Sequence, residues 1–205
     1  CKLKETFNIN DLKEKNILVG RTGGMPAMVF NYALYKNGLT NKEVYLNTSV
    51  EFASLSGAYI GGDGDFVNLF EPNATKLEQQ GFGYVVGSIG ELSGEMPYTA
   101  FYARKSFIDN NKDTILAFNR AINKGLEYVN NHSNEEVADV ILKQFPDSSR
   151  NEIITIVGRY RDADSWLDNT TITKESYENL EDIMIDNNLL DDYVPFDKLV
   201  FDLNE

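Results

Sequence analysis

The chain has 205 residues, 42% of them hydrophobic and 12% aromatic, enough to fill the core of one large domain or of two lobes. Its net charge of −13 argues against nucleic acid and against an anionic membrane surface as partners. Cys1 and His132 are its single cysteine and histidine, so intramolecular disulfides and cysteine-based metal sites are excluded.

Residues 1–11 are polar and mixed and read as an incoming linker. Ile17-Leu18-Val19 is a short apolar run that predicts a strand ending at Gly20. Gly20-Arg21-Thr22-Gly23-Gly24-Met25-Pro26 then opens a helical pattern that runs to about Asn37 and stops at Gly38. A strand, a glycine turn and a helix in that order aim free N–H groups and a positive helix end at one point. A small anion held there needs no lysine or arginine. Gly23 and Gly24 carry no Cβ to keep a ligand off the backbone, and Pro26 fits the first helical turn. The spacing is neither G-x-G-x-x-G nor G-x-x-x-x-G-K-[ST], so no nucleotide cofactor is expected. A plain turn joining a strand to a helix is the competing reading.

Val44-Tyr45-Leu46 predicts a second strand, and Val50 to Ile60 a helix with Phe52, Leu55 and Tyr59 on one face. Asp65 to Leu69 predicts a third strand, running into Phe70-Glu71-Pro72. Pro72 disfavours a helical Glu71 and starts a helix that ends at Gly81. Gly83 to Ser88 is read as a fourth strand. Helices and strands alternating on short loops indicate a mostly parallel sheet, whose ligands bind beyond the carboxyl ends of the strands. The Thr22 turn and the Phe70-Glu71-Pro72 loop both fall there.

Gly90 to Pro97 is a polar break, and Tyr98 to Ala103 a strand-like run. Everything beyond reads as helix. Ile115, Phe118, Ile122, Leu126 and Val129 recur every three or four residues. Ser133-x-x-Glu136 and Ser149-x-x-Glu152 are two capping boxes, and Thr173 caps a helix burying Tyr177, Leu180, Ile183 and Met184. The composition shifts near residue 98. His132 sits in a polar junction and reads as an exposed loop residue, not a catalytic one. Asp63 and Asp65 form an acid–base pair only on paper, a turn and a strand start being the plainer reading. No catalytic residue and no metal site is expected, and the chain is not read as an enzyme.

Asp11-Leu12-Lys13 with Ile17 to Pro26 resembles the start of the second lobe in the nitrate/sulfonate/taurine-type substrate-binding proteins of ABC importers, relatives of the thiamine-pyrimidine-precursor binding proteins. Gly64-Asp65-Phe66-Val67-Asn68-Leu69-Phe70-Glu71-Pro72, Pro97 to Phe101 and the tail Val194 to Val200 match the same pattern in order. The resemblance implies an α/β fold of the type II periplasmic-binding-protein kind. Residues 1–97 would hold the linker and one complete parallel or mixed α/β lobe, with 91–97 as the return crossing. Residues 98–205 would supply a return strand and the mainly helical C-terminal part of the other lobe. Such proteins carry a further half-lobe before the segment equivalent to Asp11, with its own copy of the glycine–apolar–Asp signature. One copy occurs here, so the chain is expected to be a fragment, a truncated product or a remnant. Taken alone it is then expected to dimerise through 99–104, swap elements with a neighbour or fold its tail back.

The implied function is an extracytoplasmic solute receptor, or part of one, with a small-molecule ligand and an ABC transporter permease as partners. The expected ligand contacts are Thr22, Gly23, Gly24 and Met25, with Phe70 and Glu71 on the facing loop and Glu95 and Tyr98 at the return crossing. Two alternatives are a sensor or scaffold that kept the fold without transport and, further off, an enzyme. A fungal branch related to this family makes the thiamine pyrimidine with a cysteine-rich iron motif and a sacrificial histidine, residues this chain lacks. Cys1 reads as an internal cysteine rather than a lipid-modified one.

Overall fold

The computed structural model describes residues 6–201, so the Cys1 reading lies outside the described residues. Its centre is a parallel sheet of three short strands, β1 (Asn16–Leu18), β2 (Tyr45–Asn47) and β3 (Phe66–Val67), in the order β2-β1-β3. Ile17 pairs with Leu46 on one side and Phe66 on the other. Ile17, Leu18 and Val19 are wholly buried, as an unbroken apolar run requires when both faces of its strand are covered. Ile17 and Val19 face a cluster with Ala27, Phe30 and Leu34 of α1 (Met25–Lys36). Leu18 faces the other way, onto Leu55 and Tyr59 of α2 (Leu55–Ile60) and Leu77 of α3 (Asn73–Gln79).

α1 starts at Met25 with Pro26 in its first turn, as the sequence predicts. It ends in a glycine cap, Gly38 at φ 80°, with the Leu39 amide donating to the Leu34 carbonyl. Six of its residues are buried, more than one apolar stripe supplies. The second covered face is explained by α4 (Ile89–Ser93) and α9 (Lys174–Asp186), both packed against α1. The helix expected over Val50–Ile60 forms in part: Phe52–Ser54 is a 3₁₀ turn leading into α2.

Two expected strands do not form. Gly83–Ser88 has no ladder partner among the described residues; the Val85 amide donates instead to the Glu78 carboxylate at 3.0 Å. Tyr98–Ala103 is likewise unpaired, with Tyr102 97% and Phe101 74% exposed. Alternating aromatics favour a strand only where a neighbour completes the hydrogen bonds, and neither edge strand of the sheet, β2 or β3, pairs with this run. The anticipated edge at 99–104 is therefore absent.

The remainder is helical: α5 (Lys105–Asn110), α6 (Lys112–Asn131), α7 (Asn134–Ile141), α8 (Arg150–Asp162), α9 and α10 (Phe196–Leu199). Both capping boxes form, at the starts of α7 and α8, and Thr173 caps α9. α7 and α8 pack through Val137, Ala138, Ile153, Ile156 and Val157. α6 is strongly amphipathic in sequence, yet none of its residues is fully buried. His132 is not an exposed loop residue: it caps α6, half-buried, stacked on Tyr128 at 3.8 Å with Nδ1 2.9 Å from that residue's carbonyl. Two later helices return to the α/β unit. α8 meets α3, and α9 meets α1 through Tyr32 to Asn179 and Asn31 to Asn187.

Candidate functional site

Parallel neighbours end at the same edge of a sheet, so β1 and β3 deliver their following loops side by side. The two loops touch. The Asn68 side-chain amide donates to the Pro26 carbonyl at 3.2 Å, tying the exit of β3 to the first turn of α1. On the side of β2, Asn47 folds its own loop, its side-chain oxygen accepting from the Ser49 amide and hydroxyl. The glycine turn is thus flanked by Thr48 and Ser49 on one side and by Asn68 to Phe70 on the other.

Within the turn Gly20 and Gly23 sit at φ 85° and 75°. A Cβ on Gly20 would lie 3.0 Å from the Phe52 ring, whereas one on Gly23 would meet nothing within 4 Å. The first position needs glycine for packing and conformation, and the second leaves open space above the backbone. The Gly24 amide closes the turn onto the Arg21 carbonyl at 3.2 Å, and the Gly24 carbonyl accepts from Met28. Among the described residues the amides of Thr22, Gly23 and Met25 donate to no protein group. Thr22 and Gly23 are exposed and Gly24 and Met25 half-buried, so these donors are open at the positive end of a twelve-residue helix.

An aromatic wall stands beside the turn. Phe52, the residue under Gly20, packs on Phe70 at 4.8 Å between ring centroids, and Phe70 meets Tyr98 edge-on at 5.9 Å. Phe70 and Tyr98 remain 45% and 37% exposed, so each offers ring surface to a ligand. Burial pushes the Tyr98 phenol up to about 12, which keeps it a neutral hydrogen-bond donor throughout the physiological range.

Two of the expected contacts lie elsewhere. Glu71 turns away from the turn: Oε2 accepts from the Thr75 amide at 2.9 Å, and Oε1 from Arg159 of α8 at 3.1 Å. Its side chain is 9% exposed, so it is neither a free ligand-orienting carboxylate nor a solvated helix-start residue. Glu95 sits against α9, its carbonyl accepting from Asn179 at 2.7 Å. Asp65 is at the opposite end of the sheet, where Oδ2 accepts from the Asn16 amide at 2.9 Å, and it has no part in an acid–base pair at the ligand edge. Phe52, Asn68 and Arg159 are the additions. Asn68 lay inside the recognisable Gly64 to Pro72 stretch. Arg159 had no local signal, because its partners are 81 to 88 residues away.

Another concavity, of about 700 Å³, lies between α9 and Tyr193 to Asp197. Two of its acidic groups hold the tail: Glu181 accepts from the Val194 amide and Asp182 from the Tyr193 hydroxyl. Among the described residues no group of three or more histidines, cysteines or carboxylates could hold a metal ion, and no helix is long and apolar enough to cross a membrane.

Residues 3–143 match the model of the NMT1-like family, which lies within the periplasmic binding protein-like II superfamily. The chain belongs to the NMT1-like family. It is 37% identical over 197 residues to the Bacillus subtilis (strain 168) protein named Putative binding protein YtlA, covering 96% of this chain and 59% of that protein. The chain therefore spans about three fifths of this relative's length. A solved structure of a Bordetella bronchiseptica RB50 protein superimposes with a TM-score of 0.61 at 20% identity, over 87% of this chain and 58% of that one, a likeness of fold alone.

Proposed function

We propose that this chain forms the solute-binding part of an extracytoplasmic receptor for an ABC importer, delivering its ligand to the importer's permease. The ligand is a small polar or anionic solute, such as a sulfonate, a taurine-like compound, nitrate or a thiamine pyrimidine precursor. The observation that carries the reading is the juncture of the two loops: open amides at Thr22, Gly23 and Met25, tied through Asn68 to an aromatic wall of Phe70 and Tyr98. Backbone donors fix the polar or charged end of a solute, and the rings cover its apolar body. The acidic net charge is no obstacle, because oriented amides supply a local positive field.

The test is calorimetry against a panel of those solutes, with two variants. Gly24→Val places a Cβ 3.2 Å from the Arg21 carbonyl and distorts the turn. With one charge-assisted hydrogen bond lost, affinity falls by about 1.5–3 kcal/mol, more than tenfold. Tyr98→Ala removes a partly exposed ring and lowers affinity about tenfold without unfolding the protein. A panel member bound with the same affinity by wild type and both variants would place the ligand elsewhere.

A further inference from the structure

We infer that Arg159 sets the charge preference of the candidate site by holding the Glu71 carboxylate out of it. The inference rests on the site proposed above. Arg159 lies on α8, outside the two ligand loops, and its guanidinium is engaged three ways. Nη1 donates to Glu71 Oε1 at 3.1 Å and to Thr75 Oγ1 at 2.6 Å, and Nη2 donates to Glu78. Thr75 is 1% exposed, so the fork reaches into the base of α3. Glu71 stands next to Phe70, the ring that faces the turn. Freed of its arginine, this carboxylate would keep the Thr75 amide as its one remaining partner, and a rotation of the side chain toward the Phe70 side of the loop would bring it to the candidate site. There it would repel an anion and attract an amine.

The other charges at this edge do not change the balance. Arg21 is in the turn itself, exposed, and has no ion-pair partner among the described residues. Glu51, before Phe52, is exposed at the rim and screened by solvent. Asp65 is at the far end of the strands. Glu78 shares Arg159 and also accepts from the Val85 amide, on the side of α3 away from Phe70 in sequence. With Glu71 paired, the turn amides and Arg21 dominate the field that a ligand meets. Arg159 is a positioning residue: it touches Glu71 rather than the solute.

The experiment is an amide-resolved NMR titration of Thr22, Gly23 and Met25 with inorganic sulfate and, separately, with ethylammonium, on wild type, E71Q, R159Q and the E71Q/R159Q double variant. Wild type is expected to respond to sulfate and not to ethylammonium. E71Q, which keeps the hydrogen-bonding shape, binds sulfate at least as tightly. R159Q binds sulfate about tenfold more weakly and gains a response to ethylammonium. The double variant recovers sulfate binding to within about threefold of wild type, a rescue that a purely structural arginine would not permit. Sulfate binding unchanged in R159Q, or no better in the double variant than in R159Q, overturns the role of Arg159 while leaving the site standing. Loss of sulfate binding in E71Q overturns it too, because sulfate binding would then need the Glu71 charge rather than its confinement, and this holds even if R159Q fails to fold. No response at the turn in wild type to either probe overturns the turn as an anion site, and the role of Arg159 with it.

Discussion

Gly64 and Gly23 share a left-handed backbone, φ 75° in each, and differ in what surrounds them. A Cβ on Gly64 would lie 2.8 Å from Leu18 Cγ and 3.2 and 3.3 Å from the Phe66 and Asn16 carbonyls, with Leu18 wholly buried and unable to yield. Gly64→Ala should therefore destabilise by about 3 kcal/mol, the sum of conformational cost and overpacking. Gly23→Ala carries only the conformational part, about 1 kcal/mol, since its space is empty. Urea unfolding of the two variants measures the difference, and equal losses would contradict the packing described at Gly64. The Gly64-Asp65 pair was visible in sequence as a signature, but its purpose was not. Glycine lets two strand starts approach, and Asp65 caps the Asn16 amide between them. Glu71 was misplaced for a related reason. A carboxylate's partner is set by tertiary contact, and Arg159 lies 88 residues further along the chain.

At the scale of elements, what depends on local chemistry was legible: the glycine turn, the start of α1, the Gly38 stop and the three helix caps. Gly83–Ser88 and Tyr98–Ala103 failed as strands because a strand exists only through its neighbour, which no window of sequence contains. The caps lead to a pH prediction. The Ser149 backbone amide donates to Glu152 and the Ser133 amide to Glu136, and these bonds hold both carboxyls below their ordinary value. Because the folded value is the lower one, the stabilisation is complete above about 4.3, the unfolded-chain value, and is lost as pH falls through the folded value. Circular dichroism should show thermal stability declining from about pH 4.5 downward, with a shallower decline in E152Q, where the cap no longer titrates. An identical decline in E152Q would remove Glu152 from the account. Packing separates α6 from α8. Ile153→Ala, in the buried α7–α8 cluster, should cost about 2–4 kcal/mol, and Ile122→Ala on half-exposed α6 less than about 1.5 kcal/mol. Comparable losses in denaturant unfolding would mean that α6 is covered in solution.

For the whole molecule, the alternation of strands and helices on short loops anticipated a parallel sheet, and the apolar run Ile17 to Val19, read as a strand, is its central strand, buried on both faces. The return of α8 and α9 onto α3 and α1 was not legible, because Arg159, Asn179 and Asn187 are polar residues on helices whose apolar periodicity pointed to another face. That return matters for function. It braces the loop carrying Phe70 from one side and α1 from the other, so the two halves of the candidate site sit on a supported frame. The central claim is that the glycine turn and the Phe70–Tyr98 wall form one ligand site. The most direct measurement is a crystal structure of this chain with the tightest solute from the calorimetric panel. The solute's polar group is expected within hydrogen-bond distance of the Thr22 and Gly23 amides, with its body against Phe70 and Tyr98. A solute held in the groove between α9 and Tyr193 to Asp197, with the turn amides facing only water, would contradict it.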